Sequence, residues 1–181
     1  ASVIRVQPED FDIGAEIAKL KSGRSDVGAI VAFVGTVRDQ SGAVDEMTLE
    51  HYPGMTEAEL RRIEAEACSR WPLQASLIVH RTGTLRPSDN IVLVATASEH
   101  REAAFRAAEF LMDYLKTSAP FWKRESGPQG ARWVEVNATD TAATARWNTP
   151  ASFIAEGCVV AHRLHSRRSV SVCSALCPLR G

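Results

Sequence analysis

Cysteine is scarce where most of the chain lies: only Cys68 falls in the first 147 residues, while Cys158, Cys173 and Cys177 follow. The main body therefore has no internal disulfide framework, which is the expectation for a reducing, cytoplasmic setting. Long apolar runs are missing as well, none approaching the roughly 20 residues of a membrane span. The opening stretch ASVIRVQPED has no basic segment ahead of an apolar one, so no secretory leader is expected. A formal net charge of −1 weighs against a generally polyanion-binding surface and leaves room for a local basic pocket. There is no Walker loop, no G-x-G-x-x-G and no G-x-S-x-G elbow. What is present, 181 residues with 45% hydrophobic and 24% charged content, suffices for one cored domain with a small appended subdomain.

Patterning predicts an alternation of strands and helices. Residues 2–6 read as a short strand, and Phe11, Ile13, Ile17 and Leu20 as a short amphipathic helix. The run VGAIVAFVG (27–35), apolar and rich in β-branched residues, predicts a strand buried on both faces, and 45–52 its returning partner. Thr56 followed by Glu59 predicts a capping box for a helix over 56–71, with Cys68 bordering its apolar face as a small core residue. Strands are expected near 74–82 and 90–97, then a long helix capped by Ser98. Pro120 must end that helix. Residues 121–125 and 131–136 are strand candidates around the turn signal SGPQG. From Asn148 the composition changes: residues 148–181 carry local charge +3 against −4 for residues 1–147, which sets a soft boundary between a main domain and an extension.

The chemistry gathers at MDYLKTSAPFWKRE (112–125), where two lysines flank a helix break. Lys116 by itself is accounted for by the helix dipole. In an extended segment Phe121, Lys123 and Glu125 share one face and Trp122 and Arg124 the other. Lys116 and Lys123 brought together and desolvated would lower each other's basicity, one route to a reactive lysine. His100 and Arg101 fall in the first turn of the long helix, where N–H groups attract anions. A surface pair bonded to Glu99 is the plainer alternative. Arg38, just past a strand, either converges on the same place or is an ordinary loop arginine. His51 and His80 read as structural. His162, His165, Cys173 and Cys177 form only a weak zinc pattern, so no metal is expected.

Four ordered stretches, LEHYPGMT (49–56), HRTGTLRPSD (80–89), SEHR (98–101) and MDYLKTSAPFWKRE (112–125), closely resemble the large, catalytic subunit of molybdopterin synthase. The resemblance covers about residues 3–147. It implies an α/β (α+β) hammerhead fold with a small additional β-rich subdomain. It also implies a sulfurtransferase of molybdenum cofactor biosynthesis that needs no cofactor. In that family sulfur passes from the C-terminal Gly-Gly thiocarboxylate of a small ubiquitin-like subunit to cyclic pyranopterin monophosphate, building the dithiolene of molybdopterin. The implied assembly is a central homodimer of large subunits with a small subunit at each end. Carried onto this chain, the resemblance makes Lys116 and Lys123 the catalytic lysines. Arg38, His100, Arg101, Arg124, Glu125, Thr36 and Val37 become substrate-side residues, some supplied across the dimer; Thr36 stands where some relatives carry lysine.

Two other readings compete. A non-catalytic receptor for a ubiquitin-like protein would keep the groove and lose the charged residues, yet Lys116, Lys123, His100 and Arg101 are all present. A nucleic-acid binder would need a basic stripe interleaved with aromatics, and the near-neutral charge speaks against one.

Overall fold

The computed structural model describes residues 2–39, 42–134 and 138–148, so nearly all of the proposed extension, with its histidines and cysteines, lies outside the described residues. In chain order the elements are β1 (Ser2–Gln7), α1 (Ile13–Lys21), β2 (Ala29–Thr36), β3 (Glu46–His51), α2 (Met55–Arg70) and β4 (Leu73–Arg81). They continue with β5 (Gly83–Leu85), β6 (Asn90–Ser98), α3 (Arg101–Thr117), β7 (Phe121–Gly127), β8 (Gly130–Val134) and α4 (Ala138–Ala145), then a single 3-10 turn at Arg146–Asn148. No described helix is long and apolar enough to cross a membrane.

Period-two alternation builds the first sheet, whose order is β1-β4-β6-β2, with β1 parallel to β4 and the remaining pairs antiparallel. Along β4 and β6, Ile78, Val92 and Val94 face Leu60 and Ile63 of α2 and Phe110 and Leu111 of α3. Their alternate residues Leu77, Val79, Leu93 and Ala95 face Phe11 and the α1 residue Leu20. Helices thus cover both faces of the two central strands, as continuous apolar runs require. Two-sided burial was expected instead at 27–35, but β2 is an edge strand and its Phe33 is 40% exposed. A β-branched run specifies an extended backbone; it carries no information about position within the sheet.

The second sheet is wholly antiparallel, in the order β5-β3-β7-β8. Strand β3 belongs here, not beside β2 as its place in the sequence led one to expect. It pairs Met47 with both Leu85 and Glu125. Val37, Met47, Leu49 and Leu85 form a small core of their own. The mixed α+β architecture with a second, smaller sheet is the expected one, while β5 and α4 were not foreseen. Three residues are too few to display a period, and the Ala/Thr-rich sequence of α4 has no apolar stripe.

Both expected helix caps are replaced. The N-cap of α2 is Gly54, with φ 83°, whose N–H donates to Glu57 Oε2 at 2.6 Å. Thr56 is instead fully buried. His100 occupies the N-cap of α3, and Ser98 donates its hydroxyl to Pro72 O at 2.8 Å. Cys68 is exposed and not part of the core; its thiol donates to Glu64 Oε1, and burial of the sulfur together with that carboxylate pushes it up to about 11.

One carboxylate of α3 takes two of the contacts that anchor the C-terminal described segment. Asp113 Oδ2 accepts from Arg146 Nη2 and from Trp147 Nε1, both at 2.6 Å. Trp147, 5% exposed, sits edge-on against Trp71 and Phe110. Asp113→Ala leaves the buried indole N–H without its acceptor, so the expected loss of stability is about 1–3 kcal/mol. Urea unfolding measures it; an unchanged midpoint would mean that the carboxylate is dispensable.

Candidate active site at the α3–β7 joint

Lys116 lies in the last turn of α3, which ends where Ser118 N–H donates to Tyr114 O at 2.8 Å. Two residues later Pro120 excludes further helix, and β7 begins at Phe121. As the extended reading required, Phe121, Lys123 and Glu125 share one face. Phe121 lies flat against the His80 ring at 3.7 Å, and Lys123 Nζ is 2.8 Å from Glu125 Oε1. Glu125 is 6% exposed and also receives Arg132 Nη2 from β8 at 3.1 Å. The Lys123 ammonium, supported by Arg132, holds the Glu125 carboxyl below its ordinary range against the opposing effect of burial.

Lys116 has a different partner, with its Nζ 3.4 Å from Asp140 Oδ1 of α4. Each ammonium therefore has its own carboxylate, whereas the sequence reading set the lysines against each other. One element that sequence periodicity did not reveal, and the register of a hairpin whose strands it did, explain the difference. Helix α4 contributes Asp140, and the β7–β8 register puts Arg132 opposite Glu125. Arg132 and Asp140 are the residues that sequence reasoning missed. The pairing of Gly127 with Gly130 fixes the hairpin register that would have revealed Arg132.

The anion-binding candidates divide into two groups at opposite ends of the first sheet. Strand β2 pairs Ala29 with Ser98 and Thr36 with Asn90, so Thr36 and Arg38 stand at one end, and His100 and Arg101 at the other. Eight strand residues separate the ends by roughly 25 Å. Helix α3 then runs back along the sheet, bonded near its start by Thr96 Oγ1 donating to Ala104 O at 2.7 Å and packing Leu115 near Val92. It delivers Lys116 to the Arg38 end. Within one chain, Arg38 and His100–Arg101 do not converge.

The remaining candidates are placed as follows. His100 is largely exposed, with its Nε2 3.7 Å from Glu99 Oε1, and Arg101 is also exposed. Thr36 and Arg38 are exposed. Val37 is 2% exposed, and both its backbone N–H and its carbonyl are taken, by Asp89 O and Ser88 N. It wedges the loop in place and has no free group for a ligand. Arg124 sits on the face of β7 away from Lys123, its guanidinium 5.8 Å from the Trp133 ring. Among the described residues no cluster of His, Cys, Asp or Glu is arranged to hold a metal ion.

His80 supports this joint and titrates abnormally. It is 5% exposed, its Nδ1 lies 2.8 Å from Arg81 O, and burial pushes its pKa from 6.5 down to about 4. Between those values the unfolded chain binds a proton that the folded chain refuses, so stability falls as pH falls through the window. The expected loss from this one group between pH 7 and pH 5 is about 2 kcal/mol. Urea titrations at the two pH values should show it in the wild type and not in His80→Gln; equal pH dependence of both proteins would contradict the assignment.

The family model described as MoaE protein matches residues 6–118. A molybdopterin synthase catalytic subunit from Mesorhizobium japonicum is 57% identical over 151 residues, spanning 82% of this chain and 95% of that protein. Another, from Ralstonia nicotianae, is 59% identical over 146 residues, spanning 80% and 83%. The solved structure of a molybdopterin biosynthesis MoaE protein from Burkholderia ambifaria superposes with a TM-score of 0.72 at 54% identity, covering 83% of this chain and all of that one. In sequence and in fold alike, the chain belongs to the MoaE family of molybdopterin synthase catalytic subunits.

Proposed function

We propose that this chain is the catalytic subunit of a cytoplasmic molybdopterin synthase, moving sulfur from the thiocarboxylated C-terminus of a small ubiquitin-like carrier to cyclic pyranopterin monophosphate. The observation that carries this reading is the pair Lys116 and Lys123, standing on either side of the Pro120 break in a chain of this family. Sulfur attack on a pterin carbon develops negative charge on oxygen, and positioned ammonium groups stabilise such charge and relay protons. Each ammonium stands against a carboxylate: Asp140 faces Lys116, and Glu125 faces Lys123. Glu125 is thus the residue that orients Lys123, itself saturated by two cations. Lys116, the more exposed of the two, has the greater freedom to meet the incoming tail.

The substrate phosphate requires the arginines, and the β2–β6 register supports a site shared between two copies. A two-fold axis across the β2–α3 side would bring the Arg38–Lys116 end of one chain to the His100–Arg101 end of the other. Phe33 and Phe105, 40% and 60% exposed on that side, supply apolar surface for such a contact. The small carrier would then sit at each outer end of a central homodimer. A receptor that binds the carrier without turnover is the second reading, and it is disfavoured by the presence of both lysines.

The deciding experiment mixes the protein with thiocarboxylated carrier and cyclic pyranopterin monophosphate and assays molybdopterin. Wild type should form product, and Lys116→Ala should lower the rate by about 100-fold or more with carrier binding retained. Carrier binding without product from the wild type would leave the receptor reading in its place. Shared sites make a further outcome specific: co-expressed Lys116→Ala and Arg101→Ala chains should recover about a quarter of wild-type activity, because half the dimers carry one intact site. No recovery in proven mixed dimers would place each site within one chain.

A further inference from the structure

Two stretches that the sequence reading singled out, LEHYPGMT and HRTGTLRPSD, contribute no residue to the chemistry above. Their end and start nevertheless meet at the joint between the lysines. Thr56, the last residue of the first, has no exposed surface. Its Oγ1 accepts from Tyr52 N–H at 3.1 Å and donates to the Pro120 carbonyl at 3.2 Å, across 64 residues of sequence. His80, the first residue of the second, stacks on Phe121 with the ring planes 15° apart. The two contacts fall on consecutive residues: Pro120, the last of the three that link the helix bearing Lys116 to the strand bearing Lys123, and Phe121, the first of that strand.

We infer that Thr56 is a positioning residue for sulfur transfer, with the His80–Phe121 stack as its counterpart: together they fix the angle at which α3 hands over to β7, and so the relation of Lys116 to Lys123. The inference rests on the functional reading above. Pro120 has no N–H and cannot continue the helical ladder; the turn around it is closed by Phe121 N–H donating to Ala119 O at 2.8 Å. The Pro120 carbonyl, pointing out of that turn, is satisfied by a side-chain hydroxyl from another element. A hydroxyl that both accepts from α2's entry and donates to the joint can rotate only within narrow limits. The beginning of α2, the joint and the sheet bearing His80 therefore move as one piece. Misplacement of a catalytic group by a fraction of an ångström is enough to slow chemistry substantially without unfolding anything.

The test uses Thr56→Val, which keeps the shape and removes the hydroxyl, and Thr56→Ser, which keeps the hydroxyl. Two readouts are taken on the full chain: kcat and KM for the thiocarboxylated carrier, and amide exchange at Phe121–Lys123. For Thr56→Val, kcat should fall about tenfold with KM changed less than about twofold, and exchange at Phe121–Lys123 should rise about tenfold. Thr56→Ser should stay within about twofold of wild type in both. If Thr56→Val does not fold, Phe121→Leu removes the opposing stack and should give the same kcat and exchange signature. Wild-type kcat in folded Thr56→Val overturns the inference, as does an equal loss in the valine and serine variants. Should the wild type form no molybdopterin, the functional reading fails first, while the exchange comparison still reports whether Thr56 holds the joint.

Discussion

The antiparallel register between β2 and β6 is the constraint on which the functional architecture depends. It sends Thr36 and Arg38 to one end of the first sheet and His100 and Arg101 to the other. Helix α3, nearly as long as the sheet is deep, then carries Lys116 back to the Arg38 end. A one-residue slip would exchange the faces of β2 and redirect every group that follows it. Because the register is pinned on both sides of β6 by alternating core residues, the division of charge between the two ends is a property of the fold and not of side-chain conformation.

The second sheet contributes differently. Its strands are short and its core is small, built on Val37, Met47, Leu49 and Leu85. It cannot hold itself in place by burial alone. It is tied to the first sheet by Ile91 of β6, which packs against both cores, and at the root of β7 by the His80–Phe121 stack and the Thr56–Pro120 hydrogen bond. Stability and site geometry are therefore decided by different parts of the chain. The hydrophobic sandwich of helices around β4 and β6 provides the first, and a few polar and aromatic contacts provide the second.

How much of this could be read from the sequence follows the same division. The central strands, the long helices, the Pro120 break and the shared face of Lys123 and Glu125 are consequences of local periodicity and covalent geometry, and each is visible in the residues. What escaped depends on long-range register: β2 at an edge, β3 in the other sheet, Arg132 opposite Glu125, Asp140 against Lys116. The caps failed for a related reason. Thr56 and Ser98 have the residue types of N-caps, yet each hydroxyl is claimed by a distant carbonyl, Pro120 and Pro72 respectively. Tertiary competition for a hydroxyl leaves no local trace.

Cys68 gives this chain a chemical property that its packing alone does not suggest. Once a carrier's sulfur has bonded to its substrate the acyl end is a thioester, and a nearby thiolate can attack its carbonyl and expel the substrate sulfur as thiolate, leaving the carrier trapped on the attacking cysteine. The only cysteine among the described residues is exposed as a residue, yet burial of its sulfur, helped by the Glu64 carboxylate to which the thiol donates, raises its pKa to about 11. At neutral pH its thiolate fraction is on the order of one part in ten thousand. Among the described residues, then, the protein brings almost no cysteine thiolate of its own at neutral pH.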